Sequence, residues 1–380
     1  MSKVALIRCE SYDNSVVRAS IEKGIELLGG INMFVQPEER ILLKPNLLTA
    51  DLPEKCATTH PAVFRAVAEI FMEAGVKLTY GDSPALHQPL NAAVKSGIAQ
   101  AADELGISMA DFQSGKEIYF ENGLQNKKFV IAKGALECDG LVSIPKLKTH
   151  GFARMTGCIK NQFGCIPGKL KGEFHVRIPN VYDFSMMLID LNLFLKPRLF
   201  IMDGIMAMEG NGPRSGDPKK MNVLLLSSDP VALDATVCRM IKLDPGFVPT
   251  TTLGHKAGLG TYLEEEIEVL GDDLASFADS SFNVIRKPVK PFKNGGLIQL
   301  IRNSLVPKPA IEQSKCIKCG ICTSMCPVKP KAVDWCNGDK SRPPIYSYKR
   351  CIRCYCCQEL CPESAIFLKH PFIRKLLTRK

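Results

Sequence analysis

Half of the sixteen cysteines fall into two runs with one spacing. Cys316, Cys319, Cys322 and Cys326 precede Pro327, and Cys351, Cys354, Cys357 and Cys361 precede Pro362, so both runs read C-x2-C-x2-C-x3-C-P. In this pattern a tight loop aims three thiolates at three irons of a [4Fe–4S] cube, while the fourth cysteine reaches the other cube. Proline after the fourth cysteine stops the chain from continuing as a regular ladder. The crossed arrangement assigns Cys316, Cys319, Cys322 and Cys361 to one cluster, and Cys326, Cys351, Cys354 and Cys357 to the other. Four thiolates also suit zinc, so tandem zinc knuckles are the alternative chemistry. Cys336 and Cys356 stand outside the pattern and read as packed thiols.

A second concentration of reactive side chains lies within residues 144–175: Lys146, Lys148, Thr149, His150, Thr156, Cys158, Lys160, Asn161, Cys165, Lys169 and His175. If residues 146–150 are extended, Lys146, Lys148 and His150 point to one side. Thr156 and Lys160 share a helix face. So many cations suit a carboxylate or phosphate, held by ammonium groups and by amides of glycine turns. His150 is the candidate proton donor, because its charge can change near neutral pH; Lys160 stands beside it as a candidate catalytic cation. Each residue alone has a plain reading, as a solvated lysine or a hydrogen-bonded structural histidine. Lys44-Pro45-Asn46, Gly81-Asp82-Ser83-Pro84 and Asp203-Gly204 are further polar sets, and Asp82 and Asp203 are placed to orient the cations. Gly164 to Leu170 lacks both the length and the Ser/Thr of a P-loop, and no G-x-G-x-x-G follows a strand. ATP use and a standard dinucleotide site are therefore unsupported.

The elements that must position these residues are readable from periodicity. Strands are expected at 3–9, 40–44, 76–80, 128–132, 140–144, 198–202 and 222–227. Helices are expected from Asn14 as cap to about 28, from Pro61 over Val63, Val67, Ile70, Phe71 and Ala74, at about 89–105, near 180–195, and after Asp229-Pro230. Strands separated by helices imply an α/β fold, a mostly parallel sheet with helices on both faces. Ligands in such sheets sit beyond the carboxyl ends of strands, where the polar sets fall. After each cysteine run Ala332-Val333 and Ala365-Ile366 lead toward a strand or turn, as a (βαβ)2 ferredoxin-like α+β module requires. The expected organisation is an α/β domain over 1–281, a linker over 282–313 with an apolar stretch at Leu297–Leu305, and the cluster domain over 314–380 with its basic tail.

The net charge of +10 is uneven: residues 316–380 hold 13 Lys+Arg against 4 Asp+Glu, leaving 36 against 35 for residues 1–315. A basic shell around anionic clusters accounts for this, and so does a docking face for an electron-donor or acceptor protein. No basic helix with interleaved aromatics points to nucleic acid. The cysteines outside the runs form no disulfide framework, which argues for a reducing interior. The N-terminus breaks after a few apolar residues, and the most apolar long stretch, 184–202, is interrupted by Asp190, Lys196 and Arg198. A cytoplasmic protein without a transmembrane segment is expected.

Lys44-Pro45-Asn46, Thr59-His60-Pro61, Gly81-Asp82-Ser83-Pro84, Pro145-Lys146-Leu-Lys148-Thr149-His150, Thr156-Gly157-Cys-Ile-Lys160-Asn161 and Asp229-Pro230-Val-Ala-Leu-Asp234 together resemble the pattern of the family called domain of unknown function 362. Members often carry a C-terminal pair of ferredoxin motifs. The resemblance covers residues 1–275 and the cysteine runs, and implies an iron–sulfur protein of prokaryotic, often anaerobic, metabolism without a settled reaction. The resulting expectation is a ferredoxin-fused oxidoreductase. Its two [4Fe–4S] clusters exchange single electrons with a small anionic substrate or a flavin, bound by Lys44, Asn46, Asp82, Ser83, Lys146, Lys148, Thr149, Thr156, Asn161 and Asp203. The alternative is a non-catalytic electron-transfer or metallocofactor-maturation protein acting on a partner enzyme.

Overall fold

The computed structural model describes residues 1–168, 170–289 and 306–369. Lys169, the apolar stretch Leu297–Leu305 and the basic tail from His370 lie outside the described residues. The first half of the chain runs β1 (Ser2–Arg8), α1 (Asn14–Leu27), β2 (Arg40–Pro45), α2 (Pro61–Glu73), β3 (Lys77–Tyr80), α3 (Pro89–Lys95), α4 (Ile98–Glu104) and β4 (Ser108–Met109). A hairpin of β5 (Gly115–Tyr119) and β6 (Lys128–Ala132) leads through α5 (Lys133–Leu136) to β7 (Gly140–Ile144), β8 (Lys146–His150) and β9 (Arg154–Met155). Then follow α6 (Cys158–Asn161), α7 (Leu170–Arg177), α8 (Val181–Leu195), β10 (Leu199–Glu209), β11 (Asp217–Ser227), α9 (Pro230–Met240), α10 (Pro249–Lys256) and β12 (Ile267–Gly271).

The main sheet has the order β12-β1-β11-β10-β7-β2-β3-β4, with β8 added beside β10 and β9 beside β8. Pairing is parallel except along β1·β11, β11·β10 and β8·β9. Its central strands are apolar on both sides, as burial between two helical layers demands. Val17, Ile21, Val63, Phe64, Val67 and Phe71 from α1 and α2 fill one face. Helices α9 and α8 cover the other, α9 through Val237 and Cys238 against Leu225, and α8 through Phe184 and Leu188. The expected α/β fold is what forms.

Local chemistry sets the element ends. Asp13, rather than Asn14, caps α1 by accepting from the amides of Ser15 and Val16. Asp229 does the same for α9, with Pro230 at the first helical position. The single helix expected near 89–105 is split into α3 and α4 by Gly97, whose φ of +77° is cheap only for glycine. Strands β10 and β11 run well past the expected segments, because their outer halves pair as a hairpin and β10 also carries β8 (Asp203↔Lys146, Met208↔Lys148).

The C-terminal part is built from β13 (Lys308–Ile311), α11 (Ile321–Ser324), β14 (Val333–Asp334), β15 (Ile345–Tyr346), α12 (Cys356–Glu359) and β16 (Ile366–Lys369). β13 pairs with β16 and β14 with β15, both antiparallel. Each cysteine run places its third cysteine on a short helix, Cys322 on α11 and Cys357 on α12, which is the pseudo-twofold arrangement the repeated spacing implies. Phe282, at the start of the 282–313 segment, is buried in the core beside β1 and β11.

Candidate functional site

The two cysteine runs meet crosswise. One cavity is lined by Cys316, Cys319, Cys322 and Cys361, with Ile311, Ile317 and Ile366 between them. A second is lined by Cys326, Cys351, Cys354 and Cys357, with Val333, Tyr346 and Tyr355. Four thiols around an apolar-walled hole are the donor set and shape that an iron–sulfur cube takes. Among the described residues no three His, Cys, Asp or Glu side chains converge tightly enough for a single metal ion. The Tyr346 hydroxyl donates to Cys357 Sγ at 3.2 Å, and the Ala332 amide to Cys326 Sγ at 3.3 Å. Hydrogen bonds to ligating sulfur tune a cluster's potential. Cys319 is exposed, whereas Cys357 and Cys361 are buried.

Lys44, Lys146, Lys148 and Lys171 are buried one by one against internal partners. Strand β8 is extended as expected, but its lysines are fully enclosed. Lys146 Nζ donates to Asp203 Oδ2 at 2.7 Å and to the Tyr12 hydroxyl at 2.9 Å; that hydroxyl donates in turn to Asp203 Oδ1. Lys148 Nζ donates to Asn46 Oδ1 at 2.7 Å and to the Ala57 carbonyl at 2.6 Å. Asn46 continues to Asn161, and Asn161 to Ser143. Lys44 Nζ lies 3.0 Å from Asp82 Oδ1, and Asp82 also accepts from the amides of Leu47 and Ser83. Gly164 is obligatory here, since a Cβ would strike both Asp82 and Lys44. Ser83 receives Lys171 on its carbonyl and bonds the Gly168 amide through its hydroxyl. Thr156 bonds the carbonyls of Lys146 and Lys148.

Electrostatics follow from this enclosure. Lys148 has only neutral acceptors, so burial, reinforced by Lys160 and Lys146, pulls its pKa down to about 7. Burial also brings Lys171 to about 7 and lowers Lys160. His150 is held neutral: burial and Lys160 push its pKa below the usual histidine value. Its Nδ1 accepts from the Phe152 and Ala153 amides at 3.0 and 3.2 Å, which leaves the proton on Nε2. Burial thus opposes the expected charge change of His150 near neutrality, and the groups brought to about 7 are Lys148, Lys171 and Asp234.

The cluster module docks on this region through its second run. Glu359 of α12 enters beside His150, with Oε1 3.1 Å from Nε2 but out of hydrogen-bond alignment. Gln358 Nε2 donates to the carbonyls of Asn211 and Gly212 and to Asn211 Oδ1. Arg214, paired bidentately with Asp51, donates to the Leu360 carbonyl, and Ser215 to that of Cys361. Tyr355 packs into the α/β core near Phe152. Beside this junction a cavity of about 800 Å³ opens between the two parts, lined among others by Thr149, His150, Arg154, Asn211, Lys315 and Phe367. Thr149 bonds the Gly210 carbonyl and receives the Gly212 amide at its rim. Lys44, Lys146 and Lys148 do not line it.

Sequence reasoning missed several members of the site. Tyr12, Ser143 and Lys171 complete the buried networks. Asp234, fully buried with its pKa raised by burial to about 7, accepts from the Cys158 and Ile159 amides and seats α6. Gln358 and Glu359 carried a signal only in being polar within a run otherwise committed to cysteines.

Two family models match: one described as Domain of unknown function (DUF362) over residues 41–239 and one described as 4Fe-4S binding domain over 309–330. A thylakoid-associated protein of Synechocystis sp. is 37% identical over 260 residues, which is 68% of this chain and 80% of that protein. Among solved structures, the lactate racemase apoprotein of Thermoanaerobacterium thermosaccharolyticum is similar with TM-score 0.42 and 15% identity, covering 63% of this chain and 57% of that one. A protein from Thermotoga maritima is similar with TM-score 0.36 and 11% identity, over 59% of this chain and 57% of that one. Among the described residues no helix is long and apolar enough to cross a membrane. The chain is an iron–sulfur protein with a 4Fe-4S domain, and it belongs to the family described as Domain of unknown function (DUF362).

Proposed function

We propose that this protein binds two [4Fe–4S] clusters in crossed ligation and acts as an oxidoreductase. On this reading it passes single electrons between those clusters and a small anionic substrate or flavin held against the α/β domain. The observation that carries this is the pair of cavities, each ringed by four cysteines contributed by both runs. When bound, each cluster supplies one-electron chemistry at a potential set by its surroundings. The asymmetry of the module supports a direction in space: Cys319 is exposed for contact with an electron-carrying partner, whereas the second run is packed on the α/β domain.

The junction cavity is the place we assign to the substrate. Lys55 and Lys315, the latter ion-paired with Glu312 at 2.9 Å, would meet its anionic part, while Glu54 and Asp217 on the same walls would accept from its donors. Thr149 and the Gly210–Gly212 turn form a polar rim. The buried lysines shape the field behind it without touching the ligand, because their hydrogen bonds are already directed at Asp82, Asp203, Asn46 and backbone carbonyls.

That same closure favours a second reading, in which the chain delivers electrons to a partner enzyme and has no substrate of its own. Anaerobic purification with iron and sulfide analysis tests the clusters; two cubes' worth per chain is expected, and one cube's worth removes the crossed pair. Mass spectrometry of released small molecules separates the two readings, since a bound flavin or organic anion is expected only for the oxidoreductase.

A further inference from the structure

Glu359 is a buried carboxylate in the cluster module. It stands two residues after Cys357 and two before Cys361, so ligands of both sets flank it. Its side chain is 11% exposed and turns away from solvent into the α/β domain, where His150 Nε2 is 3.1 Å from Oε1. His150 itself is locked by two backbone amides. Lys160 on α6, half-buried, and His175 on α7, buried, also act on this carboxylate electrostatically. Gln358, the preceding residue, is tied to Asn211 and Gly212, which holds this turn of α12 in place. The buried carboxylate thus belongs covalently to the cluster run, while neutral His150, which faces it, and the cation Lys160 belong to the other domain. A charge held out of water is screened far less than a surface one.

We propose that Glu359 is a positioning residue through which the α/β domain sets the reduction potential of the cluster held by Cys326, Cys351, Cys354 and Cys357. The physical sense is signed. A fixed negative charge beside the cluster opposes addition of an electron, and a nearby positive charge assists it. Lys160 partly cancels Glu359, so any ligand entering the cavity at His150 that displaces this balance moves the potential of the wire that serves it. This inference rests on the cluster assignment proposed above, and concerns regulation of that same site.

The test is a redox titration of the anaerobic full-length protein, followed by electron paramagnetic resonance, on Glu359→Gln, Lys160→Met and Glu363→Gln. Glu363 lies two residues beyond Cys361, is exposed and lines the other cavity, so it is a charge control read on the midpoint of the cluster held by Cys326, Cys351, Cys354 and Cys357. The expected result is an upward shift of one midpoint in Glu359→Gln, a downward shift in Lys160→Met, and a much smaller upward shift in Glu363→Gln. A purely structural role for Glu359 predicts no opposed signs. Unmoved potentials in both interior variants, shifts of one sign in both, or a Glu363→Gln shift as large as that of Glu359→Gln overturns the proposal. Should Glu359→Gln lose its clusters, the sign of Lys160→Met still decides. Absence of clusters from the unmodified protein would instead strike the functional reading, and iron and sulfide content distinguishes the two failures.

Discussion

Lys146 Nζ and Asp203 Oδ2 are 2.7 Å apart and both side chains are essentially inaccessible to water. They sit opposite each other where β8 pairs with β10, so the sheet register itself makes the ion pair. Removing one partner leaves a charge in the interior without compensation, which costs roughly 3–5 kcal/mol. Asp203→Ala is therefore expected to lose stability of about that order in chemical denaturation. The double replacement Lys146→Met with Asp203→Leu is expected to recover part of it, since the apolar pair removes the uncompensated charge while the Tyr12 hydroxyl and His60 amide still lose their acceptor. Equal losses in the single and double variants would show that the pair is not the reason.

Lys148 makes stability depend on pH in a defined direction. Its pKa falls from 10.5 to about 7 on folding, so between these values the unfolded chain holds a proton that the folded one has released. Stability then rises with pH across that window and is flat below it as far as this group is concerned. Lys148→Met is expected to show a shallower rise from pH 7 to 10 than the parent protein, measured by denaturant midpoints. A parallel pair of curves would refute the enclosed-lysine account.

His175 contributes the opposite edge. It stacks on Phe184 with centroids 4.7 Å apart, and burial lowers its pKa from 6.5 to about 4. In that interval the unfolded chain is protonated and the folded one is not, so stability falls as the solution is acidified from about 6.5 toward 4. Replacing His175 by Phe keeps a ring against Phe184 and is expected to flatten the acid limb. If the limb is unchanged, other groups carry it.

The crossed ligand sets make a pairing prediction. Cys361→Ala and Cys316→Ala should damage the same cluster although the residues come from different runs, and Cys326→Ala should match Cys351→Ala. Electron paramagnetic resonance of the reduced variants distinguishes the two clusters. Variants that instead group by run, with Cys316 matching Cys326, would mean that each run closes its own site.

Some of this was settled by local chemistry along the chain. The cysteine spacing names the ligand set because a loop of that length can aim its thiolates in few ways. The strand and helix alternation names the α/β class, and Asp229-Pro230 marks the start of α9 because capping is a contact between near neighbours. Elements whose pattern is interrupted were harder: β5 is largely exposed and opens on Gly, Lys and Glu, and the outer halves of β10 and β11 form by pairing with each other. The lysines show the boundary most plainly. Lys44, Lys146 and Lys148 read as a cationic site with Asp82 and Asp203 placed to orient it, but the sequence does not say that Asp82 and Asp203 close on Lys44 and Lys146 in the interior, or that Lys148 meets only Asn46 and a carbonyl. Asp82, Asp203, Asn46 and Ala57 meet them from distant segments, brought there by sheet register and by loops that cross the sheet edge. Residue types and spacing determined that this protein holds iron and sulfur on thiolates. Only the packed structure decided that Lys44, Lys146 and Lys148 are interior, and that Glu359 joins the cluster run to the domain beside it.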